Sequence, residues 1–323
     1  MDKKYDVVAL GEFLIDFTPG GISESGMRLF EQNPGGAPVN MLTAVTKNGY
    51  RTAFLGKVGN DMHGMFLRET AADTGIDVSG LVMAEDVFTT LAFVGLSDTG
   101  ERTFSFARKP GADTQLCYKE LNQKLLQETK IFHIGSLSLT DEPVRTTTFQ
   151  AIRTAKEAGA IISYDPNYRA PLWESREVAV ERMRSMLQYV NMIKISDEET
   201  DMLTPYSSPE EAAEYLLKEG VQVVAVTLGE EGVLVASKKG MKRVAGFKSQ
   251  VVDTTGAGDS FWGGFLSRLL ELEEEPANLS VDQMEECALY GNAEASLCVE
   301  KRGGIPAIPN KEEVEERLKL ILK

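Results

Sequence analysis

The stretch 251–264, VVDTTGAGDSFWGG, sets aspartates at 253 and 259, hydroxyls at 254, 255 and 260 and glycines at 256, 258, 263 and 264 between an apolar run and a helix-like one. Past the turn, Phe261, Phe265, Leu266 and Leu269 recur at helical spacing, so the glycine-rich turn precedes a helix N-terminus. Backbone N–H groups of Gly256, Ala257 and Gly258, together with the helix dipole, would make a seat for a phosphoryl group or for charge developing in a transition state. Asp259 stands where an N-cap commonly stands and, taken alone, reads first as a cap. Beside an anion-binding turn a carboxylate is unfavourable unless it has a task, and accepting the proton of an attacking hydroxyl is one.

Working outward, short β-rich runs alternate with amphipathic stretches along the whole chain, which predicts a doubly wound, mostly parallel α/β sheet covered by helices on both faces. The expected strands are DVVALG, TAFLGKVG, IFHIGSLS, AIISYDPN, MIKIS, VVAVTLG and GVLVAS. Helices are expected from Pro38 to Asn48, Met62 to Thr74 and Pro143 to Ala158, stopped by Gly49, Gly75 and Gly159. Two regions break the alternation. Residues 89–108 read as a hairpin about the turn Ser97-Asp98-Thr99-Gly100, and residues 12–32 read as further short strands; together they predict a small antiparallel sheet closing over the carboxyl edge as a lid. The acidic LELEEEP (270–276) reads as a solvated helix end.

The chain has 323 residues, 42% hydrophobic and 26% charged, with a formal net charge of −15. That composition predicts a folded globular protein whose field repels polyanions, so no nucleic-acid partner is expected and any anionic ligand must be held locally. Cys117, Cys287 and Cys298 are widely spaced and form no C-x-x-C, which points to a reducing compartment. The first residues run directly into an apolar strand and no apolar run approaches a membrane-spanning length, so a cytoplasmic protein without membrane contact is expected.

Known phosphate motifs are excluded by inspection. There is no G-x-x-x-x-G-K-[ST], no protein-kinase H-R-D or D-F-G, and no dinucleotide fingerprint: the first strand is followed by Gly11-Glu12-Phe13, and Phe261 stands where a third glycine would follow Gly256-x-Gly258.

GGAPVN (35–40) and DTTGAGDSFWGG (253–264) together resemble the two signature motifs of the ribokinase-like, or phosphofructokinase-B, family of sugar kinases. GEFLIDF, FLGKVGNDMHG, GERTFSFARKPGAD, DPNYRAPLW, KISDEE and VTLGEEG follow in the family's order, and DPNYRAPLW with IKISDEE is most similar to fructokinases. The resemblance implies one ribokinase-like kinase domain over 1–323, with a lid at about 12–32 and 88–110. It implies Asp259 as catalytic base and the backbone of Gly256, Ala257 and Gly258 as anion hole. Asp16, Gly35, Gly36 and Asn40 would bind sugar hydroxyls, although by residue type alone Asp16 reads equally as a turn residue and Asn40 as a helix-start residue. Arg108 and Arg169 are the cations expected near phosphate or substrate. Lys194, Thr227, Gly229, Gly232 and Asn292 match nucleotide-side positions, with Gly256 and Gly258 shared.

Two departures from the family pattern stand out. The metal-associated N-x-x-E is here Ser196-x-x-Glu199, leaving Glu199 to organise Mg²⁺ through water. In KRGGIPAIP, Ala307 replaces a common serine, so a monovalent-cation (K⁺) site at Asp253 and the Thr255 backbone stays open. The activity implied is ATP-dependent phosphorylation of a sugar primary hydroxyl, fructose first, with 2-keto-3-deoxygluconate or a nucleoside-like sugar as alternatives, and a non-catalytic sugar-binding regulator as the reading from another class. Phe93, Phe104 and Phe106 would exclude water from the closed site. A homodimer pairing through the lid is the expected assembly. His133 is expected in the core and His63 on the surface.

Overall fold

A strand buried on both faces reads as an uninterrupted apolar run, and YDVVAL and TAFLGKVG behave so: every residue of both is buried. The computed structural model describes residues 3–96 and 102–320. In chain order its strands are β1 (Tyr5–Leu10), β2 (Leu14–Ile22), β3 (Arg28–Gly35), β4 (Thr52–Gly59), β5 (Asp77–Ala84), β6 (Leu91–Leu96), β7 (Arg102–Ala107), β8 (Thr129–Gly135), β9 (Ile161–Asp165), β10 (Met192–Ser196), β11 (Val223–Thr227), β12 (Val233–Ser237) and β13 (Gly240–Val244). The helices are α1 (Ala37–Lys47), α2 (Met62–Thr74), α3 (Gln123–Gln127), α4 (Val144–Glu157), α5 (Arg176–Arg184), α6 (Thr200–Leu203), α7 (Pro209–Lys218), α8 (Ala257–Leu272), α9 (Val281–Cys298) and α10 (Lys311–Leu318).

Nine strands form the large sheet in the order β13-β12-β11-β10-β9-β8-β1-β4-β5. Every pairing from β5 to β11 is parallel, and β12 and β13 add an antiparallel edge. Alternate residues of β1 divide between two cores. Val8 and Leu10 pack under α4, α5 and α7, whereas Val7 and Ala9 pack under α1, α2, α8 and α9. From β1 the chain winds toward β4 and β5, then returns on the other side through β8, so the strand order reverses between β1 and β8. Such a switch point opens a crevice at the carboxyl ends of the strands.

A second sheet, in the order β3-β2-β6-β7, stands over that edge. Its outer pairs are antiparallel as expected, but β2 and β6 meet in parallel, because each leaves the large sheet in the same direction. The expected turn at 97–100 lies outside the described residues. Sequence reading missed two strands. β5 is interrupted by Asp77, Ser79 and Gly80, and β13 is a charged, largely solvent-facing edge, so neither shows the apolar run of a central strand. The apolar start of the opening stretch is no strand either, for Val251 and Val252 are exposed.

Candidate active site

Helix α8 begins at Gly256, which takes a left-handed φ of 77°. A Cβ there would also lie 3.2 Å from the Gly304 Cα, so both conformation and space call for glycine. Asp259 therefore sits within the first turn of the helix, three residues past the cap position, and the capping expectation is corrected: no side chain caps α8. Instead, the buried carboxylate of Asp259 accepts hydrogen bonds from Asn40 Nδ2 on Oδ2 (2.8 Å) and from Asn167 Nδ2 on Oδ1 (3.0 Å). Burial, then the charge of Asp165, push its pKa up to about 6, against the Asn40 hydrogen bond and the charges of Lys194 and Arg169. A carboxyl with that pKa is mostly ionised at neutral pH.

Of the expected anion-hole donors, the Ala257 N–H closes a turn onto the Thr254 carbonyl at 3.2 Å and would have to be shared with an incoming oxyanion. Behind the turn stands Lys194, whose ammonium pairs with Asp165 at 2.9 Å and whose Nζ lies 2.8 Å from where a Gly258 Cβ would be. Burial alone would lower the Lys194 pKa, but the charges of Asp165, Glu199 and Asp259 outweigh it and raise it. The turn is therefore backed by a buried ion pair, Lys194 with Asp165, rather than by an isolated charge.

Across the crevice, Asp16 on β2 lies against Gly35 of β3, where a Cβ would come within 2.1 Å of Asp16 Oδ2. At Gly36 a Cβ would come within 2.5 Å of the Glu12 carbonyl. This close packing lets the loop bring backbone and α1, with Asn40, to the crevice. Burial lifts the Asp16 pKa to about 6, with Arg169 lowering it and Asp253 raising it. Arg169 is exposed, donates to the Tyr168 carbonyl (3.2 Å), and its charge lowers the pKa of both Asp16 and Asp259, so it lies within electrostatic reach of the two carboxylates.

Other expected residues are placed differently. Arg108 is buried and spends its guanidinium inside the protein, on Asp113 (Nε 2.8 Å), Thr140 (Nη1 2.9 Å) and the Leu137 carbonyl (Nη2 3.0 Å), anchoring the end of β7 to the segment after β8. Asn292 on α9 donates to the carbonyls of Val244 (3.2 Å) and Ala245 (3.0 Å), fastening the end of β13. Thr227 ends β11 and donates to the Ile195 carbonyl at 3.3 Å, while Gly229 and Gly232 follow it with φ of 58° and 102°.

Glu199 Oε1 accepts the Tyr168 N–H (2.8 Å) and Oε2 the Ser196 N–H (2.8 Å), so the carboxylate is tied down by backbone on both oxygens. Asp253 Oδ1 takes the Thr255 N–H (3.0 Å) and hydroxyl (2.8 Å), and Oδ2 takes the Gly303 N–H (3.1 Å). The Thr255 carbonyl is approached by Cys298 Sγ at 3.7 Å. Among the described residues no group of three or more His, Cys, Asp or Glu is arranged to hold a metal ion.

In the small sheet Phe93 registers with Ser105, and Ala92 with both Phe106 and Asp16. The pleat therefore puts Phe106 on the face that carries Asp16 and Phe93 on the other, so the two cannot line one surface. Phe93 stacks instead on Phe17 with ring centroids 5.2 Å apart; the side chain of Phe104 lies outside the described ones. His63 meets Phe17 edge-on at 5.7 Å and is half-buried rather than free on the surface. His133 is core, bonded to Ser163 at 2.9 Å and held near pKa 3 by burial.

Two residues of the site lacked an assigned role in the sequence reading: Asp165 and Asn167. The signal available was D-P-N directly after an apolar strand, two polar side chains flanking a proline at a carboxyl edge.

The chain as a whole is similar to known proteins in sequence and in fold. The profile of the pfkB family carbohydrate kinase matches residues 4–311. A probable fructokinase-5 from Arabidopsis thaliana is 40% identical over 97% of this chain and 97% of its own. A fructokinase from Xylella fastidiosa with bound ATP superposes with a TM-score of 0.90 at 31% identity, covering 98% of this chain and 99% of its own. A double-mutant fructokinase from Vibrio cholerae O395, bound to fructose, ADP and potassium ion, does so with a TM-score of 0.87 at 30% identity over 98% and 99%. Fold, motifs and near-complete coverage agree: the chain belongs to the pfkB family of carbohydrate kinases.

Proposed function

We propose that this kinase is an ATP-dependent fructokinase that phosphorylates the primary hydroxyl of fructose. The observation that carries the chemistry is the Asp259 carboxylate, gripped by Asn40 and Asn167 at the head of α8 beside the Gly256–Gly258 turn. The choice of fructose rests on the fructokinases it resembles.

The sugar lies between Asp16, the Gly35–Gly36 backbone and Asn40, with the hydroxyl toward Asp259. Asp259 takes the hydroxyl proton as the freed oxygen bonds to the γ-phosphorus and the bond to the β-phosphate oxygen breaks in line, releasing ADP. The Gly256–Gly258 backbone with Lys194 behind it, and Arg169 in front, hold the transferring charge. No covalent nucleophile is needed, since positioning and electrostatics carry phosphoryl transfer. The nucleotide lies along the edge formed by Lys194, Thr227, Gly229 and Gly232; Asn292 shapes that edge through β13, and Arg108 shapes the sugar side through the end of β7.

Magnesium bound with ATP would neutralise the phosphate oxygens. Glu199, with both oxygens already bonded to backbone, suits contact through the ion's water rather than direct ligation. Potassium is assigned to the oxygen-rich turn of Asp253 and the Thr255 carbonyl. The small sheet acts as the lid of a single domain spanning 1–323. Its outer face carries Phe30 and Phe93, both exposed and packed on Phe17, which supports a homodimer pairing through this sheet. Free Cys117, Cys287 and Cys298 support a reducing compartment, the cytoplasm in our reading, and no helix among the described residues is long and apolar enough to cross a membrane.

The test is ADP release with ATP and Mg²⁺ across fructose, ribose, 2-keto-3-deoxygluconate, tagatose and adenosine. Fructose should give the highest kcat/KM; a higher value on another sugar replaces the substrate, and sugar binding without turnover on any of them makes the protein a regulator.

A further inference from the structure

We propose that Asn167 is a positioning residue for the reaction, its side-chain amide fixing the direction in which the Asp259 carboxylate accepts the proton. The proposal rests on Asp259 being the base.

Asn167 is one of the non-glycine residues with a left-handed backbone, at φ 47°, and it is buried. That conformation is uncommon for side-chain-bearing residues and asparagine tolerates it best, so here it is a built feature of the turn. Three bonds hold it. Asp165 Oδ1 accepts the Asn167 N–H (3.1 Å), Asp165 Oδ2 accepts Lys194 Nζ (2.9 Å), and the Pro166 carbonyl between them accepts the Ser136 N–H (3.1 Å). The turn after β9 is thereby tied to β8 and β10 at once, and what it presents is one amide, Nδ2, 3.0 Å from Asp259 Oδ1. With Asn40 on the other oxygen at 2.8 Å, the carboxylate is held at both ends. It cannot rotate without breaking a bond, and its remaining lone pairs keep one direction.

The donors are neutral, which matters among so many charges. Asp165 faces Asp259 and opposes its ionisation, Lys194 and Arg169 favour it, and the buried Cys298 thiol lies within electrostatic reach. An amide favours the ionised base by hydrogen bonding without adding a cation that would compete for the phosphoryl oxygens.

The experiment compares Asn167→Gly, Asn167→Asp and Asp259→Asn with the parent enzyme, following ADP release on its best sugar across pH. Glycine keeps the left-handed backbone and removes only the side chain; aspartate keeps the shape and replaces a donor by an acceptor. Both Asn167 variants should lose roughly 10- to 100-fold in kcat, the worth of a hydrogen bond to a charged group. KM for ATP should change little, and the acidic limb of kcat/KM should move to higher pH, further in Asn167→Asp. Wild-type kcat and an unmoved limb in Asn167→Gly would overturn the proposal. So would a loss confined to KM for the sugar, which would make Asn167 a ligand contact. If Asn167→Gly does not fold, the near-isosteric Asn167→Asp decides by the same limb. Full turnover in Asp259→Asn would instead remove the base assignment, and the clamp with it.

Discussion

Two buried carboxylates, one on helix α8 and one packed against it, live in different worlds. Asp259 at its head has an amide on each oxygen, from Asn40 and Asn167, and a crevice in front. Glu294, on α9 where it packs against the middle of α8, is fully buried, receives one amide from Asn48 (2.9 Å), and has no partner for Oε1 among the described residues. Burial acts on both, yet it pushes Asp259 to about 6 and Glu294 to about 8. At neutral pH the first is charged and the second largely protonated. Burial is the first cause at both and the only one that raises Glu294, whereas at Asp259 the Asn40 amide and the charges of Lys194 and Arg169 stand against burial and against Asp165.

The strongest way to break this contrast is to remove the charge that matters. Asp259→Asn should lower kcat by about 10³-fold or more, while leaving the thermal midpoint near that of the parent, measured by ADP release and by scanning calorimetry. Asn40→Ala removes one of the two amides. Turnover should fall by roughly 10- to 100-fold, and its acidic limb, expected near pH 6 from the base, should shift upward in a kcat/KM profile.

Asn48→Ala is the counterpart in the other region. It strips Glu294 of its amide and leaves the Tyr290 hydroxyl, 2.7 Å from Asn48 Oδ1, without that acceptor. Denaturant unfolding should lose about 2–4 kcal/mol, with kcat per folded molecule unchanged. The subtlest change is Glu294→Gln. A carboxyl whose folded pKa is raised from 4.5 to about 8 binds more protons folded than unfolded, so its contribution to stability is largest below about pH 4.5 and declines as pH rises toward 8. Glutamine is neutral throughout. The variant should match the parent at low pH and melt a few degrees higher near pH 8.5, and a difference independent of pH would refute a protonated Glu294.

The framework of the fold was legible because it is written locally. Gly49, Gly75 and Gly159 follow the ends of α1, α2 and α4 with φ of 93°, 98° and 82°, and MIKIS spans β10 end to end. What escaped depends on distant partners. Asp259 resembled a cap because nearby sequence cannot show that Asn40 and Asn167 are bonded to it. Arg108 looked available for phosphate because Asp113, Thr140 and Leu137 enclose it only after folding. The three lid phenylalanines looked equivalent until the register of β2, β6 and β7 separated Phe93 from Phe106. Asp165 and Asn167 were visible as a motif, but their task required the bond across the crevice.

The bond between Asn40 and Asp259 spans 219 residues, and that distance sets an order on biosynthesis. A ribosome delivers β1, then Asp16 and Asn40, then the remaining strands of the large sheet, the last ending at Val244, and only afterwards α8 with Asp259. A chain that stops after Val244 has every strand of the large sheet but lacks α8 and α9, whose Phe261, Trp262, Phe265 and Met284 complete the core on one face. The Asp259 carboxylate and the last layer of the core therefore arrive together, on the same late helix, so the site and the closed fold are completed in one step of synthesis.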